Sequence, residues 1–211
     1  ILLVEDSKAN QMLAARIIEK AGYEFELASN GVEAVAQFTK KTFDLILMDI
    51  EMPEMDGFQA TTEIRRIETD KQTPIIALTA HAIQGYHERC LAFGMNDYLT
   101  KPLRREQLLS VIERYLGAEP TGEGATNLTP EFTDVYIDRD IIDLIPAYLE
   151  NCRESIGEVK SSLESGDFAA IQRIGHNFKG AGRGYGFNEI SIIGKSIEAN
   201  ARIGDSEAIQ R

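Results

Sequence analysis

Long apolar runs are missing from this chain. A membrane-spanning helix needs roughly 18 to 20 apolar residues, and the strongest candidate, Leu45 to Met48, is flanked by Asp44 and Asp49. No segment reads as crossing a bilayer. Cysteine is scarce as well: Cys90 and Cys152 lie one in each half, which argues against a disulfide framework and suits a reducing compartment with both thiols in cores. Basic residues are outnumbered, 22 Lys plus Arg against 34 Asp plus Glu, for a net charge of −12. Without a segregated basic patch, such a chain repels nucleic-acid backbones and anionic membrane surfaces. No glycine-rich phosphate loop and no DNA-binding motif are found. The chain opens at Ile1 directly into an apolar run, without an initiator Met or signal peptide, and reads as a fragment of something longer.

What is present divides into two patterns. From 1 to 116, short aliphatic runs alternate with amphipathic stretches: Ile1–Val4 then Ser7–Ala21, Phe25–Ala28 then Asn30–Lys40, Phe43–Met48 then Gly57–Ile67, Ile75–Leu78 then Gly85–Phe93, and Met95–Leu99 then Arg104–Leu116. Nearly continuous aliphatic strands are those covered on both faces of a parallel sheet. The expectation is an α/β domain with a five-stranded, doubly wound parallel sheet, whose site lies beyond the carboxyl ends of the strands. Residues 117–132, GAEPTGEGATNLTPEF, lack apolar periodicity and read as a linker. From 133 to 211 the period changes. Ile141, Ile142, Ile145, Tyr148, Leu149, Cys152, Ile156, Val159 and Leu163 recur at spacings of three and four as one long helix with a buried stripe, which Pro146 either kinks or begins. Helices from Asp167 to about Gly184 and from Asn188 to Ile203 follow, then a short one from Asp205. This half reads as an all-α, four-helix module with its last helix truncated.

Polar residues gather at the strand ends of the first domain: Glu5 and Asp6 after strand one, Asp49 ending strand three, Thr79 ending strand four, and Lys101 after strand five. A single Asp at a strand end is usually a turn or cap residue. Several such groups at one end of four strands point to a site. Three clustered carboxylates repel one another, and a hard divalent cation such as Mg²⁺ relieves that repulsion while accepting a phosphoryl oxygen. Mg²⁺ and the Lys101 ammonium would balance the carboxylates, leaving the cavity suited to phosphoryl transfer. His81 and His87 read as a solvated loop residue and a surface helix residue.

These residues, together with the segment 49–57, Asp-Ile-Glu-Met-Pro-Glu-Met-Asp-Gly, and the pairs Thr79–Ala80 and Lys101–Pro102, resemble the receiver domain of two-component response regulators. The resemblance implies a flavodoxin-like fold, with Asp49 as phosphoacceptor and Asp6 and Glu5 as metal carboxylates. It also implies a backbone-carbonyl metal contact from Glu51, Lys101 as phosphoryl clamp, and Thr79 with Tyr98 as switch pair. The acidic pair departs from the commoner Asp–Asp, and Glu5 reaches one methylene further.

In the second half, a helical wheel with Phe168 at zero places Ile171, Gly175, Phe178 and Gly182 on a buried arc, with His176 near 80°, Arg183 near 60°, Gly180 near 120° and Lys179 near 20°, all approximate, toward solvent. A glycine at an exposed helix position costs about 1 kcal/mol relative to Ala, so Gly180 suggests a bare docking patch beside the imidazole. His-x-x-Lys-Gly at 176–180 resembles the histidine-containing phosphotransfer (HPt) domain, which implies that His176 is phosphorylated in an environment of Lys179, Gly180 and Arg183. Together the two resemblances imply a cytoplasmic phosphorelay segment from the carboxyl-terminal part of a hybrid sensor histidine kinase, with a membrane anchor in the parent chain left open. Its partners would be a histidine kinase domain and a downstream receiver, with no nucleic acid and no membrane contact. Two alternatives stand beside this: an aspartyl-phosphate phosphohydrolase, which would place its acidic pair late in the chain and add a cap domain, and a non-transferring docking module, which would lack Asp49, Lys101 or His176.

Overall fold

The computed structural model describes residues 1–69, 72–80, 86–117 and 139–210, without the side chains of Tyr86 and Arg139. Strands β1 (Leu2–Val4), β2 (Glu26–Ala28), β3 (Ile46–Asp49), β4 (Ile75–Thr79) and β5 (Asp97–Thr100) form one parallel sheet in the order β2-β1-β3-β4-β5. That is the expected doubly wound arrangement. Side chains alternate between faces along a strand, and the core divides accordingly. Leu3, Leu47, Ile76 and Leu78 pack toward Leu13, Ile17, Leu108 and Ile112, whereas Leu2, Val4, Ile46, Met48 and Ala77 pack toward Ala34, Phe58, Ile64 and Cys90.

The first face is covered by α1 (Lys8–Lys20) and α5 (Arg105–Leu116), the second by α2 (Gly31–Lys40), α3 (Gly57–Ile67) and α4 (Tyr86–Ala92). Ser7 and Asn30 cap α1 and α2 with their side chains, and Asp56 with Gln59 forms a reciprocal capping box on α3. From β1 the chain turns outward to β2, then crosses back to β3 and continues to β5. This reversal puts a crevice at the carboxyl ends of β1 and β3. Gly57 seals the loop behind it, since a Cβ there would lie 2.2 Å from the Asp49 carbonyl oxygen.

The expected linker, beyond Gly117, and residues 133–138 lie outside the described residues. The helical half then begins with a 3-10 segment, Arg139–Leu144, followed by α6 (Ile145–Ser165), α7 (Phe168–Ala181), a second 3-10 segment (Gly182–Tyr185), α8 (Asn188–Ile203) and α9 (Ser206–Gln210). Pro146 starts α6 instead of kinking a longer helix, because proline needs no hydrogen-bond acceptor in a first turn. Helices α7 and α8 meet backbone to backbone: a Cβ on Gly175 would stand 2.5 Å from the Glu198 nitrogen, and one on Gly194 2.4 Å from the Lys179 nitrogen. Tyr148 stacks on Tyr185 with ring centroids 4.0 Å apart. Cys90 and Cys152 are both free and buried.

The two halves share one apolar core. Ile141, Phe178, Ala181 and Tyr185 join Ala9, Leu13, Ile17 and Leu103 in a single cluster. Helix α7 lies against α1, and the Tyr185 hydroxyl donates to the Ala9 carbonyl at 2.9 Å. No helix among the described residues is long and apolar enough to cross a membrane.

Candidate functional site

Asp49 is the last residue of β3 and is 1% exposed. Lys101, just past β5, sets its ammonium 2.7 Å from Asp49 Oδ2 and 2.7 Å from Glu5 Oε2. Glu5 Oε1 in turn accepts from the Asn10 side-chain amide at 2.9 Å. Glu5, Asp6 and Asp49 each offer a carboxylate oxygen, all within 4.8 Å of one another. Burial lifts Asp49 well above the usual carboxylate range, the neighbouring Glu5 charge adds to this, and Lys101 opposes it. Asp6 is pushed up to about 6, by burial first and by Glu5 second, against Lys101 and Arg173. Burial lowers the Lys101 pKa, yet the Asp49 and Glu5 charges outweigh it and the net shift is upward. The trio outnumbers the one ammonium that faces it. Its hard oxygen donors, and an Asp6 Oδ1 that is buried without a hydrogen-bond partner among the described residues, fit a divalent cation such as Mg²⁺.

Thr79 ends β4, 2% exposed. Tyr98 lies in β5 opposite Ala77, half-buried, with its ring 5.4 Å from that of the exposed His87. His81 falls outside the described residues.

The wheel reading of α7 is half correct. Ile171, Gly175, Phe178 and Gly182 are buried as expected, but so are His176, at 5% exposure, and Gly180. The first domain covers them: a Cβ on Gly180 would stand 3.4 Å from Asn10 Nδ2 and 3.5 Å from Lys101 Cδ. Gly180 is thus a contact position and not an exposed one. His176 Nδ1 lies 3.1 Å from Glu51 Oε2 of the first domain and 3.5 Å from Glu198 Oε1 of α8. Burial lowers its pKa, with Lys101 acting in the same direction and Glu51 and Glu198 against it. Burial thus disfavours the charged form of the ring. Two carboxylates at Nδ1 favour a proton there, which leaves the lone pair on Nε2, an atom buried without a partner among the described residues.

Lys179 pairs with Glu198 Oε2 at 2.9 Å. Arg183 is not where an unbroken helix would put it. The helix ends at Ala181, and in the tighter turn that follows the Arg183 guanidinium donates to Asn188 Oδ1 at 3.1 and 2.9 Å. Sequence pattern alone does not single out Glu198. Its place beside the Gly194 and Ala201 stripe of α8 was the available signal.

The sequence model of the response regulator receiver domain matches residues 1–113. The chain belongs to the receiver domain family. Its curated relatives include histidine kinases, some of them named as hybrid kinases. BarA of Escherichia coli (strain K12), a signal transduction histidine-protein kinase, is 39% identical over 137 residues, covering 65% of this chain and 15% of that protein. The sensor histidine kinase GacS of Pseudomonas protegens is 29% identical over 231 aligned positions, covering 99% of this chain and 25% of that protein. The chain thus spans a quarter or less of these two proteins. Among solved structures, the receiver domain of sensor histidine kinase PA1611 from Pseudomonas aeruginosa PAO1 is 44% identical with a TM-score of 0.52, covering 56% of this chain and 96% of that one, and has a magnesium ion coordinated in its active-site cleft. The Saccharomyces cerevisiae complex of the histidine phosphotransfer protein Ypd1 with the receiver of Ssk1 matches at 32% identity and a TM-score of 0.51, over 54% of this chain and 86% of that one.

Proposed function

We propose that this chain is a phosphorelay segment in which the receiver takes a phosphoryl group onto Asp49 and the helical half, acting as an HPt domain, carries it on His176. The supporting observation is that His176, from the opposite half of the chain, sits against the receiver's acidic site, 3.1 Å from Glu51 and near enough for Lys101 to depress its basicity.

In the first step an Asp49 oxygen attacks the phosphorus of a phosphohistidine on a kinase domain. The N–P bond breaks, the donor imidazole keeps the electron pair, and an acyl phosphate forms. In the second, His176 Nε2 attacks that phosphorus, the O–P bond breaks, and Asp49 leaves as a carboxylate. Asp6, Glu5, Asp49 and the Glu51 carbonyl would hold Mg²⁺, which supplies charge neutralisation for the phosphoryl oxygens. Lys101 steadies the same oxygens and, with Thr79, stabilises the loose transition state; Thr79 and Tyr98 report the change to the receiver surface. Glu198 holds the proton on Nδ1, and Lys179 fixes Glu198. Arg183, bonded to Asn188, is assigned no part. Upstream stands a histidine kinase domain and downstream another receiver.

The test is transfer from a radiolabelled phosphohistidine donor, scored by lability. The native chain should acquire an alkali-labile label at Asp49 and an acid-labile label at His176. His176→Gln should keep only the first. Asp49→Asn, nearly the same shape with a far poorer nucleophile, should take none onto the receiver, and full labelling of that variant rejects the assignment.

A further inference from the structure

The segment Arg139–Leu144 makes contacts that the chemistry of Asp49 and His176 does not require. Asp143 Oδ2 lies 2.6 Å from Arg16 of α1. Asp140 pairs with Arg105 of α5. Between them Ile141 is 3% exposed in the core shared with α1, beside Ile17 and Lys20. An acidic, apolar, acidic sequence thus fits a receiver surface made of Arg16, Lys20 and Arg105 around Ile17. This charge complementarity is local in a chain whose net charge is −12. None of these residues belongs to the phosphoacceptor site. Meanwhile the faces that a kinase or another receiver must reach, Asp49 at 1% and His176 at 5% exposure, are closed.

We infer that residues 139–144 are a clamp that holds the helical half on the receiver of the same chain, reserving His176 for its own Asp49 and excluding a foreign receiver until the clamp opens. This rests on the relay reading above. Both ion pairs are partly exposed, with side-chain exposures of 26% and 60% for Arg16–Asp143 and 37% and 35% for Arg105–Asp140. Salt therefore screens them. The segment adds one buried isoleucine and two screened pairs to the contacts that Phe178, Ala181 and Tyr185 make with α1, and the screened pairs are its reversible part. In the closed state transfer is intramolecular, at an effective concentration that free partners do not reach. In the open state both faces become accessible together.

The experiment uses full chains only. The native chain, labelled at Asp49, is followed as label moves to His176 over a range of protein concentrations. In parallel, a His176→Gln chain labelled at Asp49 donates to an Asp49→Asn chain. The expected results are a native transfer rate independent of concentration and, at micromolar protein, on the order of a hundredfold faster than transfer between chains. Asp140→Arg with Asp143→Arg, reversing both pairs, should slow the internal rate about tenfold and speed the exchange between chains, and raised salt should act on the native chain in the same sense. Adding Arg16→Asp and Arg105→Asp to the reversed chain should restore both rates, which separates loss of the clamp from misfolding. An internal rate unchanged by charge reversal and by salt overturns the clamp while leaving the relay intact. Label that reaches Asp49 but never His176 in the native chain overturns the relay, and the clamp with it.

Discussion

The Tyr185 hydroxyl donates to the carbonyl of Ala9 at 2.9 Å, tying the helical half to the first turn of α1 across the seam between the two halves. Tyr185 also stacks on Tyr148, so its ring is held whether or not the hydroxyl is present. Tyr185→Phe should therefore keep the fold and lose stability at the low end for a buried hydrogen bond, about 1 kcal/mol, because the Ala9 carbonyl retains its place in the helix. Urea midpoints of the two chains measure this. A variant as stable as the native chain would show that the bond contributes nothing to holding the seam.

Asp6→Asn removes a charged oxygen from a trio whose members all lie within 4.8 Å. Mg²⁺ affinity should fall roughly tenfold or more, since hard cations are held chiefly by carboxylate charge. Titration of the metal, followed calorimetrically, decides it, and an unchanged isotherm removes Asp6 from the site.

At Gly180 the side-chain direction faces Asn10 and Lys101 at 3.4 and 3.5 Å, an ordinary contact for a methyl group and too little room for an isobutyl group. Gly180→Ala should keep transfer to His176 within about twofold and favour the helix slightly. Gly180→Leu should slow that transfer by about tenfold or more through steric exclusion of the receiver, with the helical half still folded, because the crowded atoms belong to the other half. Circular dichroism with transfer kinetics separates the two effects. Native rates in the leucine variant would show that the halves part before transfer.

Glu198 is faced by Lys179 at 2.9 Å, His176 at 3.5 Å and Arg202 at 3.6 Å. Burial raises its pKa, but the Lys179 hydrogen bond and charge, with His176, prevail and hold it below its ordinary value of 4.5. A carboxyl depressed in the folded state adds stability above its unfolded value, and that stability is lost as pH falls through the folded one. Glu198→Gln should thus be less stable than the native chain at neutral pH, with the gap in thermal midpoints closing as pH falls below 4.5. A gap that stays constant into strong acid would mean that the charge of Glu198 is not what stabilises the helix pair.

Much of this arrangement was legible beforehand because it is periodic. Strand residues such as Ile46, Leu47 and Met48 are apolar on both faces, and caps such as Ser7 and Asn30 mark helix starts by local chemistry. The acidic site was legible because its members each follow or end a strand, so topology alone gathers Glu5, Asp6, Asp49 and Lys101. His176 and Gly180 were misread as solvent-facing for a physical reason. A wheel orders residues around one helix, and what covers them here comes from Asn10, Glu51 and Lys101, far away in the chain. Likewise Ile141 extends the apolar stripe of α6, which hid the separate 3-10 segment, and Arg183 was placed by continuing a helix that ends at Ala181.

The glycine contact of Gly175 with Gly194 has a consequence for the imidazole between α7 and α8. Gly175 precedes His176 directly, and its missing Cβ lets the Glu198 main chain approach within what would be 2.5 Å of one. The spacing of His176 from Glu198 is therefore gauged by main chain against main chain, as a machined stop is, and not by the fit of deformable side chains. Swapping one aliphatic residue for another elsewhere in the shared core would leave that gauge untouched, whereas one added methyl at position 175 or 194 would reset it.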